Sequence, residues 1–188
     1  MGYIRSMRMH SVVRLVALTI IAGVAGASIP VARAGNGWGA LDLPSPLCDG
    51  LQLPSDTRVA FRLYAVGVQV YRWNGTAWTF VEPVATLYAD DEYRVKAGTH
   101  YAGPTWEGID GSKVVGARLA DCSPDPASIP WLLLHQVSAE GPGPFSQVTY
   151  IQRVNTKGGV APIAPGTSIG VTAQIPYTTE YIFARPKR

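Results

Sequence analysis

The chain has 188 residues, of which 47% are hydrophobic and 15% charged, with 16 basic and 13 acidic side chains and a formal net charge of +3. That length suits one domain of ordinary size with a hydrophobic core. The excess of positive charge sits in the first 34 residues, which excludes a basic nucleic-acid-binding surface as the reading of the remainder.

Residues 1–34 read as a secretory signal peptide. Arg5, Arg8 and Arg14 make a basic opening, residues 15–27 an apolar run, and Ala32-Arg33-Ala34 supplies the small residues of a cleavage site. The apolar run holds 13 residues, short of the roughly 20 that a bilayer crossing needs. Cleavage after Ala34 removes four arginines and no acid, leaving 154 residues with 12 basic and 13 acidic groups, a net charge of −1. Phosphate binding needs a clustered basic surface, and Arg185-Pro-Lys187-Arg188 reads as a solvated tail. The expectation is a secreted, extracytoplasmic protein with no nucleic-acid partner and no membrane span after cleavage.

Residues 35–57, rich in Gly, Pro and Asp, read as an extended N-terminal arm, and residues 58–188 as a single β domain. Residues 59–64 alternate with period two, placing Val59, Phe61 and Leu63 on one face. Runs 66–73 and 77–81 flank Asn74-Gly75, a hairpin signal of the type I′ kind. As a two-residue loop, this turn sets Tyr71 opposite Trp78 and Gln69 opposite Phe80. One face then carries the aromatic side chains of Tyr71, Trp73, Trp78 and Phe80, the other the aliphatic ones, and the aliphatic face is expected in the core. Further strand-like runs are 85–88, 113–119, 131–137, 145–154, 169–175 and 180–184, with no helical stripe between them. Many short strands at near-regular spacing predict an all-β fold, either an antiparallel β-sandwich or a flattened β-barrel, with little helix after the signal peptide.

Cys48 and Cys122 are the two cysteines. In an exported chain they are expected to form a disulfide rather than two separate buried thiols. Without a C-x-x-C there is no zinc knuckle or redox pair, and no metal or cofactor is expected. Residues 99–116 are the densest in chemistry: His100, Tyr101, Trp106, Glu107 and Asp110 lie among turns at Gly103-Pro104 and Gly108. A histidine with carboxylates nearby can bind a divalent cation or transfer protons, and Arg153 is a donor able to join them. A structural role for His100 and Asp110 in holding turns is the competing reading. Tyr71, Trp73 and Trp78 form a candidate aromatic platform for stacking sugar rings; the alternative is a buried aromatic layer. No G-x-S-x-G, dinucleotide fingerprint or P-loop is present.

Six segments in order resemble a known family: Gly67-Val-Gln-Val-Tyr71, Thr99-His-Tyr-Ala-Gly-Pro-Thr-Trp-Glu107, Asp110-Gly-Ser-Lys-Val-Val-Gly116, Ile129-Pro-Trp-Leu-Leu-Leu134, Tyr150-Ile-Gln-Arg-Val-Asn-Thr156 with Gly158-Gly159, and Pro176-Tyr177 before Tyr181. The chain is similar, over roughly residues 59–183, to the exported family known as domain of unknown function 3455. The resemblance implies a secreted domain with no established reaction. Some relatives carry enzyme names such as malate dehydrogenase, a label that the missing dinucleotide fingerprint argues against here. The family pattern often has a cysteine at the position of Trp73 and another after the Gly-Gly-x-Ala-Pro segment. Their joint absence here implies that Trp73 lies near residues 164–168, with Cys48–Cys122 as a replacement staple elsewhere.

The reading that follows is a secreted all-β binding or structural module without catalysis, its partner a small molecule or a polysaccharide. The alternative is an extracellular hydrolase or metal-dependent enzyme centred on His100, Glu107 and Asp110. An envelope protein that associates with other proteins is a third. The exported protein is expected to begin at Gly35, which the intact mass of the secreted product checks; a product beginning at Met1 would refute the cleavage.

Overall fold

Strand-forming runs bounded by Gly, Pro and Asn build β1 (Thr57–Trp73), β2 (Trp78–Tyr88), β3 (Lys96–Tyr101), β4 (Thr105–Gly108), β5 (Lys113–Cys122), β6 (Trp131–Glu140), β7 (Tyr150–Gly158) and β8 (Thr172–Pro186). The computed structural model that shows them describes residues 41–187; the expected signal peptide and the start of the arm lie outside these. Each strand pairs antiparallel with the next, and β8 returns to pair with β1. Of the two architectures expected, the closed one forms. Two short 3₁₀ turns, Asp49–Leu51 and Pro144–Gln147, complete the regular structure among the described residues.

The barrel is uneven. β1 has 17 residues and β8 15, whereas β3 has six and β4 four. Connections 74–77, 102–104, 123–130 and 159–171 lie at one end, here the upper one; 89–95, 109–112 and 141–149 lie at the lower end. β2 pairs with β3 only as far as Ala85 with His100, and β4 with β5 only as far as Thr105 with Val115. Above those pairs β2 and β5 both continue, so the short β3–β4 hairpin leaves a notch in the upper wall. Pro83 sits in that region beside a bulge of β2, where a missing N–H is tolerated best.

Alternation along the long strands divides inside from outside. Leu63, Ala65, Gln69 and Tyr71 of β1 are buried, and so are Tyr177, Thr179, Tyr181 and Phe183 of β8. The lower half is filled with rings: Phe61 stacks on Phe183 at 4.7 Å, and Phe145, from the turn Pro144–Gln147, meets both edge-on. Val84, by contrast, is exposed, Val66 is marginally so, and Val68 and Val70 are half-buried, whereas Val81, at the bulge of β2, borders the upper cavity. The aliphatic face of the first hairpin, expected in the core, is therefore the outer surface. Closure reverses the expectation, because only one face of a barrel strand can point inward.

The turn also differs from the expected one. Trp73 pairs with Trp78 and Tyr71 with Phe80, so the loop spans four residues, 74–77, rather than two. The Asn74 side-chain oxygen accepts from the amides of Thr76 and Ala77 at 2.9 and 2.8 Å, an Asx-type closure that Asn favours. A shift of two residues keeps every side chain on its face. Residues 159–171 fold over this hairpin: Trp78 Nε1 donates to the Ala164 carbonyl at 2.9 Å, and a Cβ at Gly166 would stand 2.5 Å from Trp73 Cγ. The proximity of Trp73 to residues 164–168 that the resemblance implied is thus present, with the indole packed against Gly166.

The arm packs on the outside. Leu43, Cys48, Leu51, Cys122 and Leu133 form a second core, with Trp131, Ala120 and Tyr150 at its edge. Leu133 faces this outer core while Leu134 belongs to the barrel interior; coverage on both faces explains the continuous apolar run at 131–134. Gln152 Nε2 donates to the Leu51 carbonyl at 2.7 Å. The Cys48–Cys122 disulfide bridges 74 residues and ties the arm to the upper end of β5. Replacing both cysteines by alanine is expected to lower stability by about 4 kcal/mol on the chain-entropy relation, read from urea unfolding; a loss below about 1 kcal/mol would show that the arm is held by packing alone.

Candidate functional site

The notch opens on a cavity of about 330 Å³ in the upper barrel. Its apolar wall includes Phe80, Val81 and Pro83 of β2, Pro104 of the β3–β4 turn, and Leu132 and Leu134 of β6; Gln69, His100, Trp106, Arg118, Arg153 and Tyr181 also line it. An adjoining hollow of about 350 Å³ shares Gln69, Phe80, Arg118, Leu132 and Arg153 and extends to Tyr71 and Ile129. Phe80, half exposed at 53%, stands at the opening.

His100 and Trp106 are paired residues of β3 and β4, both inward. Their rings stack at 4.5 Å, and Tyr181 meets both edge-on. His100 Nδ1 lies 2.8 Å from the Thr105 carbonyl, so that nitrogen carries the proton and Nε2 is an acceptor. Burial pulls the imidazole from 6.5 down to about 3, with the Arg153 charge acting in the same direction and the Thr105 carbonyl opposing. The ring is neutral at physiological pH.

Around it is a cluster of buried polar groups. Trp106 Nε1, Gln69 Nε2 and the hydroxyls of Tyr177 and Tyr181 are buried without a well-aligned partner, and they interact chiefly with one another: Tyr181 lies within hydrogen-bond reach of Tyr177, Trp106 and Arg153, and Tyr177 within reach of Gln69. Tyr177 and Tyr181 perturb one another, and burial raises both hydroxyls well above the usual phenol range. Buried polar groups with poorly aligned hydrogen bonds cost stability, and a cluster of them beside a cavity marks a candidate site rather than ordinary core. Arg153 donates through Nε and Nη2 to the Pro130 carbonyl at 3.1 and 2.8 Å, which fixes its guanidinium at the cavity wall. Tyr71, whose hydroxyl donates to the Gly159 carbonyl at 2.7 Å, is by contrast satisfied.

The expected site residues separate into three places. His100, Trp106 and Arg153 come together in the cavity. Thr99, Tyr101 and Glu107 take the opposite phase of β3 and β4, and the Tyr101 hydroxyl donates to Glu107 Oε2 at 2.6 Å there. Asp110 lies at the lower end, where it accepts from the Ser112 amide and hydroxyl at 2.9 and 2.8 Å. His100, Glu107 and Asp110 therefore do not converge, and no group of three His, Cys, Asp or Glu able to hold a metal ion occurs among the described residues. Tyr71, Trp73 and Trp78 do not form a bare platform: Tyr71 is buried and both tryptophans are half-buried beneath residues 159–171.

Sequence reasoning missed Gln69, Phe80, Pro83, Leu132, Leu134, Tyr177 and Tyr181. A signal for three of them existed: Gln69 shares the phase of Leu63 and Ala65, and Tyr177 and Tyr181 share that of Phe183. Polar groups on a core phase are the pattern to look for. The rest needed the barrel to close.

The depressed His100 sets a pH dependence. Between the unfolded value near 6.5 and about 3, the unfolded chain binds a proton that the native protein refuses. Stability should therefore fall as pH drops through that window, by about 1.4 kcal/mol per unit. The Arg153 guanidinium faces the ring, and the neighbouring Tyr181 hydroxyl is neutral throughout. His100→Gln is expected to flatten the slope of urea-unfolding free energy between pH 6 and 4.5; an unchanged slope would refute the assignment.

Neither a curated protein nor a solved structure shows significant similarity to the chain. A family model does match, over residues 54–185, which takes in all eight strands to within their ends. The buried His100–Trp106 pair, Arg153 and the Tyr177–Tyr181 strand all lie within the matched region, and the chain belongs to the family described as protein of unknown function (DUF3455).

Proposed function

We propose that this is an exported, non-catalytic binding module that holds a small organic molecule in the upper barrel. Ligand sites are concave and mostly apolar, with a few convergent polar groups that fix orientation. An eight-stranded barrel has room for one such ligand. The observation that carries the reading is a cavity with apolar walls on which Trp106 Nε1, Gln69 Nε2 and the Tyr181 hydroxyl converge, buried and without well-aligned partners. Export is supported by the tripartite N-terminal pattern and by the buried disulfide, which persists in an oxidising compartment. No helix among the described residues is long and apolar enough to cross a membrane.

Binding can be read with N-phenyl-1-naphthylamine, an uncharged dye whose fluorescence rises in apolar surroundings. One dye per chain is expected to bind saturably and to raise the melting temperature, since a ligand of the native state stabilises it. Leu132→Trp, which fills the cavity from its half-buried wall, should weaken binding at least tenfold while the domain stays folded. Saturable binding that ignores this substitution would place the dye elsewhere and overturn the reading.

A further inference from the structure

Resting on the reading of the cavity as a ligand site, we propose that its ligand is an organic anion, held with its apolar body against Phe80, Pro83, Leu132 and Leu134 and its anionic head on Arg153.

The argument starts from charge. The cavity and the hollow beside it are lined by two arginines, Arg118 and Arg153, and by no aspartate or glutamate. Arg118 has an acidic neighbour, Asp121, at 3.4 Å. Arg153 forms no ion pair with a carboxylate among the described residues. The positive charge of Arg153 is felt by Tyr71, His100, Tyr177 and Tyr181 alike, and no carboxylate acts on any of the four. A half-buried guanidinium without a counter-charge is a costly arrangement that an anionic ligand would relieve.

The hydrogen-bonding groups point the same way. Arg153 uses Nε and Nη2 on the Pro130 carbonyl, which holds its guanidinium at the cavity wall within hydrogen-bond reach of the Tyr181 hydroxyl. Trp106 Nε1 and Gln69 Nε2 are donors only, and the buried Tyr181 hydroxyl can donate. These donors seek an acceptor, and a carboxylate offers about four lone-pair sites to satisfy them. His100 supplies the one acceptor among the buried lining groups whose tautomer is defined. A cationic or purely donor ligand would leave the same groups unpaired. The aromatic lining of Phe80, Trp106 and Tyr181 favours a planar body over a flexible chain.

The test compares two dyes that share one skeleton, 8-anilinonaphthalene-1-sulfonate and uncharged N-phenyl-1-naphthylamine, on the full mature protein. The anionic dye is expected to bind about tenfold tighter or more, the factor one charge-assisted hydrogen bond supplies, and each should displace the other. Arg153→Gln should remove the preference while the uncharged dye still binds. Arg153→Lys should retain most of it, and 1-naphthoate should compete where naphthalene does so more weakly. Competent binding of the uncharged dye to Arg153→Gln shows that this variant is folded. Equal affinity of the two dyes for the wild type would overturn the anion assignment and leave the binding reading standing. A preference that survives Arg153→Gln but vanishes in Arg118→Gln would overturn the role of Arg153. Failure of both dyes to bind would remove the site, and this inference with it.

Discussion

The pairing of β1 with β8 is the constraint on which the other features depend. It runs from Thr57 with Pro186 to Arg72 with Thr172 and joins the ends of the sheet. An open sheet of this sequence would have two faces to cover and two edges to protect. Closure removes the edges and gives each strand one inner and one outer phase. Gln69 and Tyr181 are inward because β1 and β8 pair in this register; a slip of one residue would send them to solvent and bring Val68 and Val70 into the interior.

Unequal strand lengths then determine where the interior is accessible. A ring of strands as long as β1 would fill or seal its lumen with side chains. Here the six-residue β3 and four-residue β4 stop short, while β2 and β5 continue above them. Rings fill the lower half, and the upper half stays open between β2, β5 and β6. Gly103-Pro104 ends the short hairpin, and the Gly116 amide donates to the Pro104 carbonyl at 3.1 Å, which holds this turn against β5.

The same wall is braced from outside. Along β7, Gln152 reaches outward to the arm and Arg153 inward to the cavity. Along β6, Leu133 packs under the arm and Leu132 and Leu134 face the lumen. The disulfide fastens the arm to the end of β5, two strands from β7. Adjacent residues thus couple the outer core to the cavity wall, and the polar groups inside are carried by strands that are packed on both faces. Burying poorly aligned donors in a barrel costs stability.

Much of the fold was legible in the chain because its causes are local. Alternation marked the strands, Gly, Pro and Asn marked their ends, and two cysteines in a chain read as exported implied the disulfide that pairs them. Ordered motifs identified the family. Residues 99–116 carried the visible chemistry, and His100 and Trp106 do belong to the cavity. Glu107 and Asp110 do not, because strand phase and barrel end separate side chains that lie within ten positions of one another. Only the tertiary structure decided which face of the first hairpin is the inside, since either face is apolar enough to be buried. It alone brought Gln69 of β1, Trp106 of β4, Arg153 of β7 and Tyr181 of β8 around one space. Local propensity specifies strands and turns; the juxtaposition of residues far apart in the chain requires the closure of the sheet.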